Sequence, residues 1–335
     1  MQIRAGVGGL LSTLLLLFLA GCGGGSASPL YVIKFPHVTA PATPKGQTAD
    51  RFKELAEARF PGRVRVDVFP SGQLMEGRDA IEALAFGEIH LIAETLSIFN
   101  RHTSRFQIFD LPFLFPDLAA VERFQQSASG QALLDSMADR GIRGLTFWHN
   151  GMKQLSGPQA LRVPDDVGGL KFRIMDSDVL QAQVEALGGS PQKMAFGEVY
   201  QALQTGTVDA QENTWSNIWS SKFYEVQPAI TESNHGYLGY FVATNEAFWL
   251  SLPEDIRTGL EEILAEVTDW GNARADAINQ DARQSVLDSG QSEIIALEAG
   301  ELAAWREAMA PIWDQFSAEI GRDLIAAARS LTETR

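Results

Sequence analysis

The chain has 335 residues, enough for two domains with separate cores, and its 45% hydrophobic and 21% charged fractions are those of a soluble globular protein. A formal net charge of −15 argues against nucleic acid or an anionic membrane face as the main partner, because both would be repelled. Any anionic ligand has to be caught by a local site against the overall field.

The first residues read as a targeting segment, 1–21. Arg4 precedes an apolar run from Leu10 to Ala20, too short to span a bilayer as a mature helix. Leu19-Ala20-Gly21-Cys22 is a small-residue cleavage site ending at a cysteine, the lipobox pattern of bacterial lipoproteins. It predicts that Cys22 becomes the lipidated first residue, with residues 22–29 as a flexible tether; a plain secretory signal is the alternative. Cys22 is the only cysteine, so the rest of the chain can form no disulfide. Removing 1–21 takes away one cation and no acid, which moves the charge from −15 to −16.

After the tether, Tyr31–Phe35 is a short apolar strand followed by a proline-broken loop. Helical spacing over Thr48–Arg59 stops before Pro61-Gly62, and Val64, Val66 and Val68 alternate as a half-buried strand. Gly77–Phe86 is helical again, and Ile89–Ala93 is a buried strand ending at Glu94. This strand-helix order predicts a parallel sheet in an α/β domain. Asp110–Phe115 is a loop too apolar to be left in water. Gly144–Trp148 is a strand leading into His149-Asn150-Gly151-Met152-Lys153.

A second α/β series follows. Strand Leu170–Met175 precedes a helix over Ser177–Leu187 closed by Gly188-Gly189. Another helix covers Glu198–Thr205, with a short strand at Val208–Ala210. His235–Thr244 is a long apolar, aromatic strand, and Pro253–Leu287 a long helix. A strand at Glu293–Leu297 and a final helical stretch interrupted near Pro311 complete the chain. Two α/β lobes with a late return of the chain imply a cleft between them, where ligands bind.

Enzyme signatures are missing. His37, His90, His102, His149 and His235 are isolated without metal-ligand spacing, and there is no nucleophile elbow, phosphate loop or dinucleotide fingerprint. No metal or cofactor is implied. Asp176 and Asp178 could do acid–base work or face a ligand hydroxyl, but Asp-Ser-Asp before a helix is first a capping pattern. Arg173, between Phe172 and Ile174, is a cation inside an apolar strand pattern. It needs an anion, either an internal carboxylate or a ligand carboxylate held bidentately by its planar fork. Asn213, in the Gln211-Glu212-Asn213 cluster, offers both donor and acceptor. Trp215 and Trp219 could be core or could stack on a ligand.

At these residues the chain resembles the solute receptors of tripartite ATP-independent periplasmic (TRAP) transporters, in particular the C4-dicarboxylate branch. The resemblance rests on IKFPHVTAPATPKG, PSGQL, DLPFLF, FWHNGMK, GLKFR, MAFGEVYQALQTGTVDAQEN, KFYEVQ and SNHGYLGY, in order, from Ile33 to beyond Leu252. It implies a two-lobed periplasmic-binding-protein-like α/β fold with a ligand cleft between the lobes and a long helix spanning both. Residues 30–150 with 239–278 would form one lobe, and 151–238 with 279–335 the other.

The resemblance also implies a receptor in the cell envelope, which the lipobox would anchor by lipid at Cys22. It would close on a small organic acid and deliver it to the small and large membrane subunits of a permease. Arg173 would grip the ligand carboxylate, Asn213 would lie beside it, and Lys153 of the NGxK block would add positive charge for a second carboxylate. Trp215 is the remaining candidate in the ligand site. Three departures from the family pattern are Ala210 in place of glycine, Glu94 in place of a small residue or proline, and the acid Asp176 close after Arg173. The extra carboxylates suit a ligand with hydroxyls, so a uronic or other hydroxylated monoacid is the alternative to a dicarboxylate. A receptor reporting to a sensor protein, and an envelope-anchored enzyme using Glu94 with Asp176 or Asp178, are the readings from other classes.

Overall fold

A computed structural model describes residues 30–332, so the expected signal segment, tether and lipidated Cys22 lie outside the described residues. Its nine strands are β1 (Tyr31–Pro36), β2 (Val64–Phe69), β3 (Leu91–Thr95), β4 (Ile142–Gly157), β5 (Lys171–Ile174), β6 (Ser190–Lys193), β7 (Ala210–Thr214), β8 (Ala229–Asn245) and β9 (Glu293–Ala296). The alternating valines of β2 sit in parallel register with β1, Ile33 opposite Val66, joined by the helix Pro44–Arg59. That helix starts where the Thr43 hydroxyl accepts from the Gly46 N–H at 3.2 Å and buries Phe52 and Ala56 against the strands.

The remaining seven strands form one sheet in the order β3-β8-β4-β7-β5-β6, with β9 alongside β8. The expected parallel pairing is found for β1–β2, β5–β6, β5–β7 and β8–β9. The pairs β3–β8, β4–β8 and β4–β7 are antiparallel, so the sheet is mixed. The cause is the length of two strands. Gly144–Trp148 does not end at His149; it continues through Asn150 and Lys153 as the 16-residue β4, and β8 runs for 17 residues.

One end of this long pair borders β3, through Tyr240–Thr244, and the other borders β7 and β9, through Lys153–Ser156 and Ala229–Glu232. The two α/β lobes are therefore linked by strands that belong to both. Register shifts at Gly144/Thr146, His149/Gly151 and Lys153/Leu155 bend the pair where it passes between lobes.

Behind the sheet lies the helix Glu254–Ser289, 36 residues and about 54 Å long at 1.5 Å per residue. Its first half meets the first lobe: Thr268 accepts from the Trp148 indole N–H at 2.9 Å, and a side chain at Gly271 would collide with Thr48. Its second half meets the other lobe, where Asn279 Oδ1 accepts from the Ser216 N–H at 3.0 Å and Ala282 and Val286 are buried. Polar contacts in both halves of one stiff rod fix its position behind both lobes.

Candidate functional site

A cavity of about 540 Å³ opens between the lobes, within the range of small-molecule sites. Glu76–Asp79 and Glu94 line it from one lobe, and Arg173, Asp176, Lys193–Phe196, Asn213 and Asn217 from the other. Leu238 and Tyr240 of the crossing strand β8 form its floor. The strand ends of β3 and β5 point into it, the position where α/β sheets place ligands.

Arg173, on β5, is 3% exposed. Its Nε and Nη2 donate to the Met194 carbonyl at 3.2 and 2.8 Å. Among the described residues no carboxylate forms an ion pair with it, and Nη1 donates to none of them. Burial pulls the guanidinium down to about 10, with Glu212, Glu76 and Glu198 offsetting part of that from a distance. The cation remains protonated at neutral pH, held on one edge and lacking a contacting anion, so the internal-carboxylate alternative does not apply. Asn213 lines the same cavity; its Oδ1 accepts from the Thr214 N–H and the Asn217 amide, which fixes the side-chain orientation.

Asp176 also lines the cavity but caps nothing. Ser177 caps the helix Asp178–Ala186, its hydroxyl accepting from the Leu180 N–H at 3.3 Å. Asp176 pairs instead with Arg78 across the cleft and with Lys193 at 3.3 Å, and Lys193 also holds Asp178 at 2.8 Å. With two cations on it, Asp176 repels a second ligand carboxylate far less than its position in the sequence implied. Glu94, 2% exposed, faces the cavity with Oε1 unpaired among the described residues.

Two sequence candidates are not in the cavity. Lys153 is 1% exposed and lies behind it, its Nζ 2.6 Å from Glu212 Oε1. The other Glu212 oxygen is 2.7 Å from His235 Nε2, and His235 Nδ1 contacts the Ser233 hydroxyl at 2.7 Å. In this structure Lys153 is a core cation neutralised by Glu212 and is absent from the lining, where a ligand charge was expected. Trp215 is likewise packed into the apolar cluster of Val199, Ile218 and Phe223, away from the lining. The buried His149 bonds the Tyr237 hydroxyl and, like His235, is a core histidine. Among the described residues no cluster could hold a metal.

Sequence reasoning missed Glu76, Arg78, Lys193, Asn217 and Tyr240. Each is one polar residue among many, and only the fold brings them, from both lobes and from β8, around one cavity. Lys45 was missed as well. It is fully buried, donates to the Ala93 carbonyl at 3.0 Å and stands 3.9 Å over the Tyr240 ring.

The family model of bacterial extracellular solute-binding proteins, family 7 (DctP), matches residues 35–319. The C4-dicarboxylate-binding periplasmic protein DctP of Shewanella loihica is 51% identical over 302 residues, 90% of each chain. A TRAP periplasmic solute-binding protein from Shewanella oneidensis, solved with bound succinate, superposes with a TM-score of 0.90 at 49% identity, covering 91% of this chain and all of that one. Another, from Pseudomonas aeruginosa with bound L-malate, gives 0.84 at 48% identity, covering 85% and 99%.

Proposed function

The chain belongs to family 7 of the bacterial extracellular solute-binding proteins, and on that premise we propose a C4-dicarboxylate as its ligand and a TRAP permease as the partner that receives it. It is a periplasmic solute receptor of the TRAP type. The family consists of transport receptors, which leaves the enzyme reading with Glu94 and Asp176 unsupported.

The observation that carries the ligand class is Arg173, a buried guanidinium facing a cavity with no carboxylate in contact. A desolvated, unpaired cation is costly unless an anion joins it, so the ligand's carboxylate completes the site. Asn213 supports that carboxylate from beside it. Residues 30–150 with 239–278 act as one body and the remainder from 151 as the other. Arg78 and Asp176 meet across the cleft as these close. A ligand touching both walls favours the shut form by its extra contacts there.

Thermal unfolding with a panel of organic acids tests this. Succinate, L-malate and fumarate are expected to raise the melting temperature in a concentration-dependent way and to shrink the radius of gyration. A response confined to uronic or other hydroxylated monoacids would replace the dicarboxylate reading. The anchor is part of the proposal: Cys22 carries lipid, and labelling with a radioactive fatty acid is expected to disappear in Cys22→Ala.

A further inference from the structure

We infer that Glu94 takes up a proton when a dicarboxylate enters the cavity and then donates a hydrogen bond to the ligand's far carboxylate. The inference rests on the C4-dicarboxylate reading. Its starting point is a mismatch of donors and acceptors. Glu94 Oε1 and Asn217 Oδ1 are both buried acceptors lining the cavity, and neither has a hydrogen-bond partner among the described residues. A fully ionised dicarboxylate brings acceptors only. Two carboxylates facing each other in a water-poor site cannot both stay charged without a large cost, and one shared proton turns that repulsion into a hydrogen bond.

The charges around Glu94 do not remove the problem. From the helix Pro44–Arg59, Lys45 acts on it through space, but the Lys45 ammonium is bonded to the Ala93 carbonyl and forms no ion pair with Glu94. From the loop before the helix Gly77–Ala85, Glu76 adds a second negative charge while the Gly77 N–H favours the carboxylate. From β8, Tyr240 presents a neutral phenol, its own ionisation pushed far up by burial. The lining as a whole holds Arg78, Arg101, Arg173 and Lys193 against Glu76, Asp79, Glu94 and Asp176, a formal balance of zero. A dianion entering this balance leaves it two charges negative, and a proton on Glu94 halves the excess.

The free site is poised for the change. Burial pushes the Glu94 carboxyl up to about 7, with Lys45 pulling it down and Glu76 pushing it up further. At about pH 8 the free protein therefore has Glu94 mostly ionised, and a dicarboxylate that raises this value on binding must draw in a proton from the buffer. At about pH 6 the proton is already there and uptake vanishes.

The test is calorimetric titration of the purified protein with succinate in two buffers of different ionisation enthalpy. We expect roughly one proton taken up per succinate at about pH 8, and affinity falling up to about tenfold per pH unit above the free-state value. Glu94→Gln, a neutral isostere that can donate, is expected to bind succinate with no proton uptake and with affinity flat within about twofold over that range. No net uptake by the unaltered protein at about pH 8, or full uptake retained in Glu94→Gln, would overturn the inference. If succinate, L-malate and fumarate all fail to bind, the dicarboxylate reading fails first and this inference with it.

Discussion

Replacing Arg173 by alanine is expected to weaken organic-acid binding by at least about a hundredfold, and Arg173→Lys is expected not to restore it. Two charge-assisted hydrogen bonds contribute roughly 1.5–3 kcal/mol each, so their loss corresponds to two or more powers of ten in Kd. The geometry explains why lysine fails. The Met194 carbonyl holds Nε and Nη2, which fixes the plane of the guanidinium and presents its remaining donors at a set angle. An ammonium on a flexible stem has no plane to fix and cannot form a two-point contact with a carboxylate. Calorimetry with succinate on folded variants, checked by circular dichroism, measures this. Normal binding by Arg173→Ala would remove Arg173 from the site and, with it, the main argument for an anionic ligand.

Arg173 was legible because a guanidinium between Phe172 and Ile174 breaks an apolar strand in a way that demands an anion. The βαβ units were legible for a related reason: valine alternation in β2 and the helical spacing up to Arg59 are local signals, although the helix starts at Pro44, inside the stretch that reads as a proline-broken loop. The long strands were not. β4 is interrupted in its pattern by His149, Asn150 and Gly151, so the strand signal stops at Trp148, because polar groups in a central strand need partners that only the fold supplies. Asn150 Oδ1 accepts from the Thr214 and Ser216 hydroxyls, and its amide donates to the Tyr240 hydroxyl at 2.5 Å. All of those partners lie at least 64 residues away. The same limit explains Lys153. Residue type and motif position indicated a cation at the ligand, but which carboxylate neutralises it depends on the β4–β7 pairing. That register sets Lys153 opposite Thr214 and Leu155 opposite Glu212.

Lys153→Ala is therefore expected to act on stability far more than on the ligand. It leaves Glu212 buried with only His235 for company, and breaking a buried ion pair from one side costs about 3–5 kcal/mol. For a chain of this size that is a fall in melting temperature on the order of 10 °C. The space around the pair is also committed: a Cβ on Gly236 would lie 2.6 Å from Lys153 Cε, so the lysine stem is part of the packing as well as the charge balance.

The pH dependence carries the sign. Burial alone would push the Glu212 carboxyl up, but Lys153 and His235 outweigh it and hold it down at about 2, against 4.5 in a free glutamate. A depressed carboxyl adds stability that is complete above the unfolded value and is lost as pH falls from about 4.5 to about 2. The gap in melting temperature between the natural protein and Lys153→Ala should be full at neutral pH and narrow as the solution is acidified through that window. Succinate affinity of the variant, measured well below its melting temperature, should stay within a few-fold of normal. The opposite pattern, normal melting with succinate binding lost, would return Lys153 to the ligand and make its contact with Glu212 secondary.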